Sequence, residues 1–382
     1  SEELESIFDL LNRVFRTGID QNMETDYPLV FREENLENLR VITYERKIVS
    51  HLAVAPRHVI TSGASLQVGM ISSVATDPDF RGYGLATRLV QNANAKMVEN
   101  GCVLGLLWTS IPSFYRRNDW EVIPNGWCYL PKISQAKAFK SQHTIRPLQI
   151  RSDLNRLITL HKSQPGGVTR QYSDSVALYT LPSTKVWIAE RVGEIEGYAV
   201  MANSCNKFGM VEWGGSPTAL ESLLATLLSC DTERALPVFV PRWENPMTEL
   251  MKSKGISKRV PMENKIKKGK GCEEMMVRIL SIRRLMEGLL PYIKRLWKSE
   301  DASVTFVLEG TEEFVTLVCQ KGQVLLSGER SSNVVRLSRR DMAQLIFGPN
   351  KPSEGSEYPS VVPDWLDQFF PVPFYIWVLD YV

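Results

Sequence analysis

Apolar residues recur with a helical period at the start of the chain: Leu4, Ile7, Phe8, Leu11, Val14 and Phe15 fall on one face, predicting an amphipathic helix over 2–17. The polar, acidic stretch DQNMETDYPLVF then reads as a loop or short helix. LRVITYERKIVSHLAVAPRHV alternates and is rich in β-branched residues, which predicts two strands meeting at a turn near Arg46–Lys47. LQVGMISSVAT is a third strand. Residues 85–99 read as a helix stopped by Asn100-Gly101, followed by the buried strand VLGLLWTS. IPSFYRRNDWEV predicts a short helix, a turn and another strand.

The same order of patterns returns at an offset of about 132–145 positions, which fits a duplicated domain. TKVWIAERVGEIEGYAVMANS parallels the first hairpin, with Glu190-Arg191 expected at its turn as Glu45-Arg46 are at the first. MVEWGGSPTALESLLATLL is again strand, glycines, helix, and LPVFVPRWENPMTELMKSKG again strand then helix. The second copy has Gly214 and Gly215 but no Arg-x-x-Gly and no counterpart of Tyr115, as in a copy that keeps the fold and loses a ligand site. ENKIKKGKGCEE, with its basic run Lys267–Gly271, reads as a solvated linker. Beyond it a strand, a helix, four short strands and a short helix predict an α+β domain. The apolar tail FFPVPFYIWVLDYV is expected to be packed. The expected layout is 1–145, 146–272 and 273–382.

Composition narrows the class. At 382 residues, 43% apolar and 23% charged, the chain suits a globular protein of two or three domains. A net charge of +2 does not suggest a nucleic-acid surface. The six cysteines form no CxxC pair and the four histidines no ligand spacing, so neither a disulfide framework nor a metal is expected. No run reaches the ~18 apolar residues of a membrane span, and the acidic start is unlike a signal peptide. Cytoplasmic location is the expectation.

The chemistry centres on residues 74–89, VATDPDFRGYGLATRL, where a strand hands over to a helix through two glycines. The first amides of a helix lack intrahelical partners and carry a partial positive charge, and glycine lets a ligand approach them. Such a junction suits phosphate. It is not a P-loop, since no Gly-Lys-Ser/Thr occurs there, and Thr87 stands where a dinucleotide fingerprint needs its third glycine.

The strand, ATDPDFRGYGLA, the helix, the strand ending WTS and then SFYRRNDW resemble, in that order, the GNAT acetyltransferases. The resemblance implies that Arg81, Gly82, Tyr83, Gly84, Leu85 and Ala86 hold the pyrophosphate of acetyl-CoA. It also implies that Val74, Ala75 and Thr76 pair with the pantetheine arm, with Ser110 nearby, and that Tyr115 of Phe114–Trp120 lies by the thioester sulfur. Asp119 stands where that family's motif has Gly, and Asp tolerates turn geometry too. Across the chain, a GNAT domain, a degenerate GNAT domain and a sterol-carrier-like α+β domain resemble the Eis (enhanced intracellular survival) N-acetyltransferases. That likeness implies a terminal carboxylate, here Val382, in the active site, an aminoglycoside- or polyamine-like acceptor, and a homo-oligomer, often a hexamer.

A phenol with a reference pKa near ~10 is protonated at neutral pH and suits a general acid for a thiolate. An α-carboxyl near ~3.5 is about six units too acidic to deprotonate a primary ammonium outright, so Val382 is expected to hold the amine and pass its proton on through water. Asp380 is expected to add negative charge there. Asp20, Glu24 and Asp26, with Trp108, are expected to line the acceptor pocket and favour a cation. The alternatives are an enzyme acting on protein lysines or N-termini, and a lipid carrier with a vestigial GNAT domain.

Overall fold

The computed structural model describes residues 2–204, 207–229, 235–262, 274–298, 301–354 and 358–382. Contacts divide the chain into two compact units, neither continuous in sequence: 1–124 with 274–374 and Val382, and 125–273 with 375–381.

In the first unit the predicted elements form at the expected places. Helix α1 (Glu2–Phe15) and the one-turn α2 (Met23–Asp26) precede strands β1 (Leu39–Tyr44), β2 (Lys47–Thr61) and β3 (Ala64–Thr76). Helix α3 (Leu85–Glu99) connects β3 to β4 (Leu104–Thr109), and α4 (Pro112–Arg116) leads to β5 (Glu121–Val122). The antiparallel hairpins β1–β2 and β2–β3 are local, whereas the α3 crossover makes β3 and β4 parallel. Leu89, Val90, Ala93 and Met97 of α3 pack on Leu52, Val54, Leu107 and Trp120. These positions supply the apolar face of α3.

The sheet runs in the order β1-β2-β3-β4, then Glu274–Ile279, then β5. Glu274–Ile279 is antiparallel to both β4 and β5, with Met275, Met276, Val277 and Ile279 fully buried. Sequence reading places this segment at the head of a separate C-terminal domain; the ladder makes it an inner strand of the first sheet. The remainder of this unit follows expectation. Helix Ile282–Leu296 is capped by Ser281, and a four-stranded sheet is ordered Gln323–Ser327, Phe314–Gln320, Ala302–Leu308, Val334–Leu337. Helix Arg339–Phe347 follows it.

The second unit has a seven-stranded sheet ordered Arg259–Pro261, Gly126–Tyr129, Val238–Pro241, Phe208–Gly215, Glu194–Asn203, Thr184–Arg191, Thr144–Pro147. It repeats hairpin, third strand, helix (Pro217–Ser229), parallel strand and short helix (Pro246–Ser253). Gly126–Tyr129 follows the first copy in sequence yet pairs in this sheet, as Glu274–Ile279 follows the second copy and pairs in the first. The two hairpin turns are alike, with paired positive φ at Glu45 and Arg46 (46° and 65°) and at Val192 and Gly193 (53° and 80°). That is the geometry that matches strand twist. Glu190-Arg191 therefore ends a strand, and the second turn lies two residues further on.

The apolar tail is packed: Tyr375, Ile376, Trp377, Val378 and Leu379 are fully buried. Cys102, Cys128 and Cys319 are buried; Cys205, Cys230 and Cys272 lie outside the described residues, as does the linker from 263 to 273. Among the described residues no helix is long and apolar enough to cross a membrane, and no three His, Cys, Asp or Glu side chains group around a metal position.

Candidate active site

Strands β3 and β4 pair only from Val68 to Met70 against Leu104 to Leu106. Beyond those residues β3 stays on β2 and β4 stays on Glu274–Ile279. The two strands thus splay, and one edge of Val74–Thr76 has no ladder partner among the described residues. A bulge marks the same place. The β2–β3 register slips between His51 and Ala53, and Ser73 sits at φ 54°. His51, fully buried, braces the bulge through Nδ1 to the Ser73 carbonyl at 2.9 Å. Burial pushes its pKa down to about 4, so the ring is neutral, and Nε2 is buried without a partner.

The turn after β3 is anchored by Asp77. Its buried carboxylate accepts from Lys47 Nζ at 2.8 Å, the Asp79 amide at 3.2 Å and Arg13 at 3.3 Å. The Lys47 bond, helped by Asp79 and Arg13, holds its carboxyl below the usual carboxylate range. Gly82 and Gly84 have φ of 87° and 73°, the left-handed region, and Gly84 is the N-cap of α3. The chain can enter α3 this way because glycine carries no Cβ penalty there. A Cβ on either glycine would meet nothing within 4 Å. The amides of Gly82, Tyr83, Gly84, Leu85 and Ala86 donate to no carbonyl among the described residues. Residues 81–84 are exposed, Tyr83 by 75%. Arg81, braced by Nε to the Thr76 carbonyl at 3.3 Å, and Arg88, one turn into α3, add positive charge on either side. Arg88 went unmarked in the sequence because it reads as an ordinary solvated helix position.

The second unit shows what a filled junction looks like. Its helix begins with Pro217, which has no amide hydrogen, after Ser216, whose amide donates to the Glu196 carbonyl at 2.9 Å. Ser216 Oγ accepts from the Ala219 amide at 3.2 Å and lies 3.4 Å from the Glu196 carboxylate. Capped by its own serine and faced by an anion, this helix N-terminus is unsuited to phosphate.

Tyr115 lies on α4, started by Pro112, and is 6% exposed, packed edge-on to Phe114 and Trp120. Its hydroxyl makes no hydrogen bond among the described residues, and burial pushes its pKa up to about 12. Against an ordinary thiol near ~8.5, complete proton transfer is then about 3.5 units uphill, roughly 5 kcal/mol. The phenol is therefore better suited to donating a hydrogen bond than to the well-matched transfer its reference pKa suggests. Asp119 does adopt the positive φ of a glycine, 61°, with its carboxylate on Arg278 at 2.9 Å.

The acidic positions differ among themselves. Asp20 and Glu24 are exposed, while Asp26 accepts from Arg16 Nε and Nη2 at 2.9 and 2.7 Å and is charge-compensated. Trp108 is half-buried on β4 and Ser110 is exposed at the strand's end. Asp380 adds no free charge: it is buried and paired with Arg170. Val382 is half-buried and groups with the first unit.

Residues 1–123 match the acetyltransferase (GNAT) domain family. No curated protein sequence matches the chain. Among solved structures, a probable N-acyltransferase of Enterococcus faecalis superposes with a TM-score of 0.75 at 17% identity, covering 100% of this chain and 97% of that one. A GCN5-related N-acetyltransferase from Anabaena variabilis gives 0.74 at 16% identity, covering 100% and 98%. Eis1 from Mycobacterium abscessus gives 0.65 at 12% identity, covering 98% and 96%. At these identities the likeness is one of fold. The α/β class with a GNAT fold expected from the sequence is the class found, and the family match supports an acetyl-transferring enzyme.

Proposed function

We propose that the chain is an acetyl-CoA-dependent N-acetyltransferase of Eis-like plan, acting on an amine of a cationic small molecule. One observation carries this reading: the row of amides from Gly82 to Ala86 at a helix start, which donate to no carbonyl among the described residues, on a turn exposed at 81–84 and flanked by Arg81 and Arg88. Such a row fits a pyrophosphate, and the open edge of Val74–Thr76 fits the amide-bearing arm beyond it.

The attacking group is the neutral amine, whose nitrogen bonds to the thioester carbonyl carbon while the carbon–sulfur bond breaks. The protein's task is to receive the amine's proton and to stabilise the departing sulfur anion. Tyr115 suits the second role as a firmly protonated donor whose hydroxyl makes no hydrogen bond among the described residues. The Val382 carboxylate suits the first by holding the ammonium and relaying its proton through water. Asp20 and Glu24 are exposed and make no ion pair among the described residues, unlike Asp26, and so suit attracting a cation. A single chain of tandem GNAT domains with a sterol-carrier-like region, assembled as a homo-oligomer, completes the reading.

CoA release from acetyl-CoA, followed with polyamines, aminoglycosides and a lysine peptide using an untagged C-terminus, tests it. Turnover with a polycationic small molecule is the expected result. Turnover with the peptide alone would replace the acceptor class, and absence of acetyl-CoA binding would overturn the enzyme reading.

A further inference from the structure

A buried polar cluster of the second unit centres on Arg170. This guanidinium is 5% exposed and bridges two carboxylates. Nε and Nη2 donate to Asp380 Oδ1 and Oδ2, each at 2.7 Å, a bidentate pair. Nη1 donates to Glu212 Oε1 at 3.2 Å, and Nη2 also bonds Glu212 Oε2. Glu212 is fully buried and further held by the hydroxyls of Tyr179 and Tyr198, both at 2.8 Å, with His161 Nδ1 3.4 Å away.

Three further groups of this unit grip the tail. Lys207, itself 6% exposed, donates from Nζ to the carbonyls of Leu379 and Tyr381 at 3.0 and 2.8 Å. Asn125 exchanges two hydrogen bonds with the Ile376 backbone, at 2.9 and 3.0 Å, and donates to the Tyr381 hydroxyl at 2.7 Å. Trp377 packs edge-on to Trp213, with ring centroids 5.3 Å apart. Every one of these contacts falls on residues 376–381, directly before the terminal carboxylate. Packing an apolar tail needs none of these four buried charges. Burying an arginine, a lysine and two acids to hold six residues is costly in desolvation, and a fixed placement of the tail is what such a set can supply in return.

We infer that Arg170 and Lys207 are positioning residues that fix residues 376–381 within the second unit and so restrict the freedom of the Val382 carboxylate that follows them. This rests on the role proposed above for that carboxylate. Glu212 and its two tyrosines act at one remove, aiming the guanidinium at Asp380.

The test uses full-length Asp380→Asn, which leaves the Arg170–Glu212 pair in place, together with Asp380→Glu and Lys207→Met. Two quantities are read on each: the rate at which carboxypeptidase removes Val382 and Tyr381, and the steady-state kinetics. Asp380→Asn and Lys207→Met are expected to speed tail removal at least about tenfold, as for any loosened local segment. They are expected to lower kcat about tenfold or more with KM for acetyl-CoA within about twofold, and Asp380→Glu to recover part of both. A tail no more accessible than in the wild type would overturn the clamp itself. A freed tail with unchanged kcat would leave a clamp that positions nothing, sinking the inference together with the carboxylate's role. Loss of turnover through lost acetyl-CoA binding would assign these residues to general integrity instead.

Discussion

Tyr115 and His51 are both buried in the first unit, and the sequence treats them very differently. Tyr115 was legible because a short motif of fixed spacing surrounds it; His51 was not, because a single histidine inside an alternating strand reads as one more inward position. Replacing Tyr115 by Phe removes only a hydroxyl that makes no hydrogen bond among the described residues. Thermal stability and acetyl-CoA affinity are therefore expected to hold while kcat falls by about 10²–10³, measurable by calorimetry and CoA release. For His51 the prediction concerns pH. Its folded pKa, about 4, lies below the ordinary 6.5, so as pH falls through 6.5 the unfolded chain takes up a proton that the folded one refuses. Stability from this group is whole above pH 7 and drains away between 6.5 and 4, by roughly 3 kcal/mol at ~1.36 per unit. Urea unfolding at several pH values should show this fall in the wild type and a flatter course in His51→Gln. Arg170 and Asp380 stand 210 positions apart, and no periodicity links residues at that distance.

At the scale of elements, alternation and helical period locate the strands and helices of the two repeated stretches, down to α3 at 85–99, but assign nothing between 124 and 183, where helices Ile150–Lys162 and Tyr172–Tyr179 form. What they left open was partnership. A run such as EMMVRI is a strand in any sheet, and its buried apolar character does not name its neighbours. The second hairpin was misread by two residues for a related reason. A Glu-Arg pair carries no turn signal, while Gly193 with its positive φ does. The junction before α3 is the element where sequence and geometry agree most closely, and it yields a sharp expectation. Ala at Gly82 or Gly84 meets no neighbour, so folding should lose only about 1–2 kcal/mol for the left-handed backbone. The added methyl stands where a phosphate would approach, so KM for acetyl-CoA should rise about tenfold or more with little change in kcat at saturation. A rise in KM no larger than that of an exposed Ala substitution elsewhere on α3 would argue that phosphate does not bind there.

For the molecule as a whole, the two units are each assembled from distant stretches, which a reading in consecutive domains does not anticipate. A fragment of residues 1–145 lacks the inner strand Glu274–Ile279 between β4 and β5 and should be insoluble or molten, as judged by near-ultraviolet dichroism and dye binding. Extending the chain beyond Val382 tests the far end. Several added residues should lower kcat strongly while a thermal shift with CoA persists, since the extension moves the carboxylate and leaves α3 untouched. Full activity in the extended form would remove Val382 from the mechanism.

The exchange of strands also constrains how the chain is made. Residues 104–109 leave the ribosome long before 274–279, which complete their ladder. At ~5–20 residues per second, that partner arrives on the order of 10 to 30 s later. Throughout that interval one edge of β4, with Leu106 and Leu107, lacks its native partner on the nascent polypeptide and is open to non-native pairing.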